Sequence, residues 1–237
     1  MIEQPSFLIR RGDLRGKTDL GWLHSQHSFS FGHYQDPDQM GFRSLRVLND
    51  DVVEPGGGFG EHGHDNMEII TWVLEGELAH EDSMGTRGVI RPGDAQVMTA
   101  GRGLRHSEMN ASKTDSVHFL QIWIMPASRD LEPAYSQTSF AKEDRCNQWQ
   151  FIASNDGRKG SILIQQDALL SVADLEAGRR LDLIIDSKRH GSVHIVQGSL
   201  EVGDTSLQTG DAITISGDSQ LTLEALNDSQ LLFFDLS

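Results

Sequence analysis

Two short motifs carry residue types that bind metal ions. His62-Gly63-His64 follows the glycine-rich stretch 56–60, and His106-Ser107-Glu108 comes later in the chain. Side chains alternate in direction along an extended strand, so the two outer residues of each motif share a face. Two such strands facing one another inside a barrel would bring three imidazoles and one carboxylate together. The spacing therefore predicts one mononuclear metal site in the mouth of a β-barrel, formed by His62, His64, His106 and Glu108.

This donor set indicates which ion would bind and for what purpose. Imidazole and carboxylate suit Fe, Mn, Co, Ni, Cu or Zn much better than Ca or Mg. Four protein ligands on an octahedral ion leave two positions open for water, substrate or O2, which is typical of a catalytic site. We expect a divalent transition metal, with Fe(II) as first choice and Ni, Mn, Co, Cu or Zn as alternatives.

The identity of the carboxylate ligand stays open between two residues. Glu68 lies four residues after His64 and has the same strand parity, so it could replace Glu108. It could also accept a hydrogen bond from a ligating imidazole and so orient it. We prefer Glu108 as the ligand. A barrel that binds no metal is the remaining alternative, and it would leave the metal content unchanged in a His62→Ala variant.

Short apolar runs bounded by Gly, Asp or Pro supply the elements that would position these residues. Such runs, rich in β-branched and aromatic residues, predict an all-β sandwich or barrel. The runs are 67–74, 117–124, 181–185, 194–196, 212–215 and 230–234.

A weak internal repeat divides these strands into two similar barrels. Residues 72–78 and 91–95 match residues 194–200 and 208–212: in each copy a strand meets a Gly turn and a Gly-Asp turn precedes a later strand. The polar stretch after Pro126 indicates a connection. We predict an N-terminal metal-binding barrel over 1–130, a linker over 131–146 and a C-terminal barrel over 147–237.

Alignment of the two copies at their Gly turns predicts that only the first barrel has a metal site. It places Ile184 and Asp186 near the positions of His62 and His64. It places Leu223 and Ala225 near the positions of His106 and Glu108.

Composition narrows the class of partner. The 237 residues carry a net charge of −15, which would repel a polyanion, so we expect no direct nucleic-acid binding. No run of eighteen apolar residues exists, so no membrane span is expected. Cys146 is the only cysteine, which excludes an internal disulfide and, with no signal peptide recognised, predicts a cytoplasmic protein.

The motifs resemble those of the cupin superfamily, and in detail those of the pirin family. The stretch from Gly56 through the first histidine motif to Gly76 is similar to the first cupin motif. The stretch from Gly93 to His106 is similar to the second, with Thr99 where cupins usually have Pro. Pirin-like signatures cover 27–34, 76–85, 92–103, 106–108 and 121–124. The match is dense over roughly residues 8–135.

The resemblance implies a bicupin with metal only in the N-terminal barrel, and it implies that Glu108 is a ligand. It is strongest to bacterial pirin-like proteins that act as quercetin 2,3-dioxygenases. It therefore implies an oxidoreductase that opens a flavonol with O2 to a depside and carbon monoxide, with Glu108 or a nearby carboxylate taking the proton of the 3-hydroxyl. The alternative is a non-enzymatic pirin-type coregulator or redox sensor that binds a protein partner.

Further residues are expected around the site. Five are candidates for the apolar wall of a substrate pocket: Phe59, Met67, Met98, Phe119 and Trp123. We expect His24, His27 and His33 to form hydrogen bonds near the barrel mouth, and His80 and His118 to lie in the core or rim.

Overall fold

A computed structural model describes residues 7–237, which form an almost entirely β structure. The 3-10 helices are Gly12–Leu14, Lys142–Arg145 and Arg158–Gly160. Within the described residues, no helix is long and apolar enough to cross a membrane. The strands are β1 (Phe7–Arg10), β2 (Gly16–Asp19), β3 (Leu23–His27), β4 (Leu45–Val53), β5 (Gly58–His64), β6 (Glu68–Glu75), β7 (Leu78–Asp82), β8 (Arg87–Ile90), β9 (Asp94–Thr99), β10 (Leu104–Asn110), β11 (Val117–Ile124), β12 (Ala134–Ser139), β13 (Gln150–Ser154), β14 (Ile162–Leu163), β15 (Ala168–Leu175), β16 (Arg180–Ile185), β17 (His190–Gln197), β18 (Ser199–Val202), β19 (Thr205–Gln208), β20 (Ala212–Ser216), β21 (Ser219–Ala225) and β22 (Ser229–Leu236).

The strands form two compact units, and each unit is a cupin barrel, so the predicted all-β bicupin is confirmed. In the N-terminal unit, one sheet has the order β12-β9-β6-β11-β4-β3-β2 and the other has the order β5-β10-β7-β8. Apolar side chains from both sheets pack between them and close one end of the barrel. They are Leu23, Val53, Val73, Leu78, Ile90, Val117 and Phe119.

The C-terminal unit repeats this plan. Its larger sheet contains the order β1-β20-β17-β22-β15-β13, and its smaller sheet has the order β16-β21-β18-β19. Fifteen buried apolar residues from the two sheets form one continuous core, which fills the interior of the barrel. Apolar side chains therefore fill the interior of this unit, including the positions where the first unit carries polar side chains.

The repeated Gly turn has the same conformation in both units. Gly76 and Gly198 have positive φ values of 75° and 92°. A Cβ atom would lie 2.6 Å from the carbonyl oxygen of Ser116 at Gly76, and 2.6 Å from that of Asp228 at Gly198. Glycine is required at both turns because of the left-handed backbone and the close approach of a neighbouring chain segment.

The boundaries of the units differ from the predicted ones. The N-terminal unit comprises Arg15–Phe140 and Ile162–Gln166, and the C-terminal unit comprises 7–14, Ala141–Ser161 and Asp167–Ser237. The predicted linker 131–146 contains β12, which pairs with β9 over its whole length. Strand β1 pairs with β20. Long-range strand pairing decides to which unit each of these two segments belongs, and the local polarity of the sequence does not indicate that pairing.

Strand register also corrects the alignment of the two barrels. His62 lies opposite His106, and Leu183 lies opposite Leu221, at the same place in the smaller sheet of each unit. The repeated Gly turns align β7 with β18, and the strands that pair with these two are β10 and β21. Leu223 of β21 is therefore the equivalent of Glu108, and it lies opposite Leu181. The equivalents of the four site residues are therefore Leu183, Ile185, Leu221 and Leu223. The sequence alignment had shifted β16 by one residue and β21 by two.

Candidate metal centre

Strands β5 and β10 position the four predicted site residues. On β10, buried residues alternate with more exposed ones, so His106 and Glu108 both face the barrel interior, as predicted. Opposite them, His62 pairs with His106, and Phe59 pairs with Glu108. Between these two pairs, Ser107 of β10 thus lies opposite two residues of β5, Gly60 and Glu61, so β5 contains one extra residue. This bulge ends near His62 and leaves both Phe59 and His62 beside the interior.

Three imidazoles converge at this end of the barrel. The ring centroids of His62, His64 and His106 lie 4.5 to 4.9 Å apart. One nitrogen from each ring lies within 4.8 Å of the others. His62 Nδ1 donates to the carbonyl oxygen of Gly60 at 2.8 Å, so its Nε2 carries the free electron pair. Within residues 7–237, the buried Nε2 atoms of His64 and His106 have no hydrogen-bond partner.

Burial keeps the rings of His64 and His106 neutral at physiological pH. It lowers the pKa of His64 to about 4, with a further contribution from His62. It also lowers the pKa of His106 to about 3, with further contributions from His62, His64 and His80. A neutral imidazole offers an electron pair to a cation. The buried, unpaired nitrogens therefore fit a divalent transition metal ion, which would supply the partner that they lack.

Glu108 lies beside His106 and is held by three donors. Its Oε1 accepts from Thr71 Oγ1 at 3.2 Å and from Gln96 Nε2 at 3.1 Å, and its Oε2 accepts from Gln121 Nε2 at 2.7 Å. Burial raises the pKa of Glu108, while neighbouring charge and these hydrogen bonds lower it. Its carboxylate forms a second potential ligand group with His106 and His80, so His106 belongs to both groups.

Glu68 occupies a different environment. Its Oε2 accepts from Thr99 Oγ1 at 2.9 Å and from the backbone N–H of Gln165 at 3.3 Å. The side chain is fully buried, and it is in neither group of potential ligands found among the described residues. Among residues 7–237, Glu68 therefore neither groups with the three imidazoles nor accepts a hydrogen bond from any of them.

A cavity of about 190 Å³ opens in front of His62, His64 and Glu108. Its wall is mainly apolar, and of the five predicted wall residues Phe59 and Trp123 line it. Phe119 and Met98 are fully buried in core clusters instead, and Met67 packs against one of those clusters. Side chains of similar character separate into wall and core because β-strand register decides how deep each one lies.

The other histidines divide between the cavity and the surface. His27 lines the cavity and bonds Thr18 Oγ1 and Asn49 Oδ1 at 2.8 Å each, which confirms its predicted hydrogen-bonding role. His33 also lines the cavity, whereas His24 is exposed beside Asp19. His118 bonds Asp50 at 2.6 Å in a partly buried pair.

Sequence reasoning missed the buried polar residues around the metal centre. Besides the donors to Glu108, these include Asp51, which lines the cavity and whose Oδ1 has no hydrogen-bond partner among the residues that the structure describes. They also include Asp82, which is buried next to His80; His80 itself is buried, as expected, but its position beside His106 was not predicted. The available signal was a polar residue at an inward-facing position of an otherwise apolar strand, as with Thr71 and Gln121.

Comparison with known proteins gives matches over nearly the whole chain. A family model described as Pirin matches residues 10–124, and one described as the quercetinase C-terminal cupin domain matches 151–236. A quercetin 2,3-dioxygenase of Escherichia coli (strain K12) is 41% identical over 228 residues, which cover 96% of this chain and 97% of that protein. A pirin-like protein of Caulobacter vibrioides is 37% identical over 236 residues and 99% of both chains.

A solved structure adds a metal to this comparison. The bacterial pirin YhhW from Escherichia coli, in complex with nickel(II), superposes with a TM-score of 0.92 at 40% identity, covering 98% of this chain and 99% of that one. The backbone around the three imidazoles thus has a counterpart in a protein that binds a divalent metal.

Proposed function

This chain belongs to the pirin family, and from that membership we propose that it is a metal-dependent dioxygenase acting on a flavonol such as quercetin. The reaction consumes one O2 and converts the flavonol to a depside and carbon monoxide. The observation that carries the proposal is the convergence of one nitrogen from each of three imidazoles beside a mainly apolar cavity. Such a cavity suits a flat aromatic substrate.

We propose that His62, His64, His106 and Glu108 hold one divalent ion, Fe(II) before Ni(II), Mn(II), Co(II), Cu(II) or Zn(II). The ion would supply a Lewis acid that stabilises the deprotonated 3-hydroxyl of the flavonol next to O2. The three histidines fit the role of ligands because one nitrogen of each ring converges at the same point. Glu108 would be the fourth ligand, because its carboxylate lies beside His106.

Glu108 is also our candidate for the catalytic base. Its carboxylate would accept the proton of the 3-hydroxyl, leaving the flavonolate anion and a neutral carboxyl group. Burial raises the pKa of Glu108, which favours uptake of that proton. The hydrogen bonds from Thr71, Gln96 and Gln121 hold the carboxylate in place during the transfer.

Phe59 and Trp123 would contact the rings of the flavonol, since both line the cavity near the histidines. Trp123 already packs edge-on against His64, with ring centroids 5.0 Å apart. We also infer a cytoplasmic location, because the single cysteine allows no internal disulfide.

Metal-loaded protein tests the proposal. Protein freed of metal and reloaded anaerobically with Fe(II) should bind one equivalent and consume O2 with quercetin, releasing one carbon monoxide per O2. His106→Ala should weaken metal binding by more than about 100-fold and abolish turnover. Leu221→Ala, the same position in the C-terminal barrel, should retain both.

Two outcomes separate the parts of this proposal. Stoichiometric metal binding with no O2 uptake on any flavonol would reject the dioxygenase function and favour a metal-dependent regulator that binds a protein partner. Unchanged metal affinity in both His106→Ala and His62→Ala would reject the metal site itself.

A further inference from the structure

A buried row of three side chains extends from the metal centre into the wall of the N-terminal barrel. Strands β7 and β10 pair so that Asp82 lies opposite His106, and His80 lies opposite Glu108. His106 Nδ1 is 3.4 Å from His80 Nδ1, and His80 Nε2 is 3.2 Å from Asp82 Oδ2. The side chains of His80 and Asp82 have no exposed surface. The row Asp82–His80–His106 is therefore a buried chain of hydrogen-bonding groups.

The outer end of the row has a fixed role. Asp82 Oδ1 accepts hydrogen bonds from the backbone N–H groups of Met84 at 2.9 Å and Thr86 at 3.0 Å. These bonds hold the carboxylate within the turn between β7 and β8. A carboxylate only accepts hydrogen bonds, so Asp82 Oδ2 requires that His80 Nε2 carries the proton.

The state of His106 follows from that of His80. A neutral imidazole has one N–H group, so His80 with a proton on Nε2 has a bare Nδ1. The bare Nδ1 can only accept, and its neighbour His106 Nδ1 must donate. His106 Nε2 is then bare, and this is the atom that is buried without a protein partner at the convergence of the three imidazoles.

We propose that Asp82 and His80 are positioning residues, which hold His106 in the tautomer that presents a bare Nε2 to the metal ion. The row acts through His106 and touches neither substrate nor metal. The inference rests on the proposed metal site and is independent of the flavonol reaction. A hydrogen bond on the far nitrogen also increases the basicity of a ligating imidazole.

Packing keeps the His80 ring in the orientation that the row needs. Tyr135 stacks on His80 with ring centroids 4.8 Å apart and planes 29° apart. Gly88 lies opposite His80 on β8, and a Cβ atom there would come within 2.8 Å of Tyr135 Oη. The absence of a side chain at Gly88 therefore leaves space for the tyrosine ring that covers His80.

The tautomers can be read directly by ¹⁵N-histidine NMR of metal-free protein at neutral pH. The proposal predicts that His106 carries its proton on Nδ1 and that His80 carries it on Nε2. A proton on His106 Nε2, or a doubly protonated His80, would overturn the proposal, because either state would prevent the row from freeing Nε2.

Asp82→Asn tests the same row by reversing the direction of its hydrogen bonds. The asparagine amide can donate to His80 Nε2, which moves the His80 proton to Nδ1 and the His106 proton to Nε2. We expect Ni(II) or Fe(II) to bind this variant about 10- to 100-fold more weakly, with the NMR signals of both histidines exchanged in type. A wild-type dissociation constant in Asp82→Asn would contradict the proposal.

Asp82→Ala is the matched control. It removes the acceptor for Met84 and Thr86 but introduces no donor, so it should unfold at a lower temperature than Asp82→Asn and yet bind metal more tightly. A merely structural role for Asp82 predicts the opposite order of metal affinities. If His106→Ala loses the metal while Asp82→Asn keeps it, the metal site stands and the positioning role fails.

Discussion

The two barrels share a strand order and differ in what fills them. In the N-terminal barrel, His62 pairs with His106; at the same place in the C-terminal barrel, Leu183 pairs with Leu221. The apolar residues at these positions belong to the continuous core of the C-terminal unit. One scaffold thus holds either a cavity with free imidazoles or a solid interior, depending on a few inward-facing positions.

The groups around the carboxylate change together with it. Glu108 accepts from three polar side chains, and Leu223 occupies its position in the second barrel. The residues that register equates with Thr71, Gln96 and Gln121 are Val193, Ile213 and Phe233, all buried. A buried polar group is costly without hydrogen-bond partners, so we expect Glu108 and its three donors to be present or absent together. The row Asp82–His80–His106 is also missing from the second barrel, where Val202 takes the position of His80.

Exchange of the carboxylate and the leucine should give the largest effect. Leu223→Glu would bury an acid among apolar side chains without donors, so we expect a loss of more than about 4 kcal/mol in the free energy of unfolding at pH 7. Glu108→Leu leaves donors unpaired but buries no charge, and should cost about 1–3 kcal/mol in metal-free protein. Denaturant unfolding of both variants measures the difference. Equal losses would contradict the expectation that an acid buried without donors costs more than donors left without their acid.

Asp51 should make the stability of the N-terminal barrel depend on pH. Burial, together with Asp50 and Glu108, raises the pKa of Asp51 to about 7, although Ser25 donates to it. The carboxyl of Asp51 titrates near pH 4 in the unfolded chain. The free energy of unfolding therefore falls as the pH rises from about 4 to about 7. Metal-free wild type should lose roughly 2–4 kcal/mol of stability over this range relative to Asp51→Asn.

An exposed carboxyl provides the control for that measurement. Asp186 lies on the surface of the C-terminal unit, so Asp186→Asn should keep the wild-type dependence of unfolding free energy on pH. In the C-terminal barrel, register places Ala173 at the position of Asp51. Parallel pH profiles for wild type and Asp51→Asn would exclude Asp51 as the source of the difference.

The smallest expected effect tests the register of the second barrel. The side chain of Ile184 is 72% exposed, while Leu183 is buried in the core. We expect Ile184→Ser to change the free energy of unfolding by less than about 0.5 kcal/mol, since an exposed side chain loses little on truncation. Leu183→Ser should cost several times more. A large loss at Ile184 would instead restore the alignment in which Ile184 occupies the position of His62.

The sequence by itself determined the residue types and their local geometry. Alternation along a strand follows from the backbone, so His62 and His64, and likewise His106 and Glu108, had to share faces. The short β-branched runs determined the all-β class, and the repeated Gly turns determined two copies, because each turn requires a residue that tolerates positive φ.

Only the tertiary structure decided which strands meet and in what register. Pairing brought β1 to β20 and β12 to β9, across distances in sequence that no local pattern encodes. A single extra residue in β5 set the relation between His62, Phe59 and Glu108. Pairing also put His80 and Asp82 beside His106, since cross-strand neighbours are chosen by hydrogen-bond register and not by proximity in the chain. The proposed metal ligands were visible in the sequence, and the groups proposed to orient them became visible only after the strands were paired.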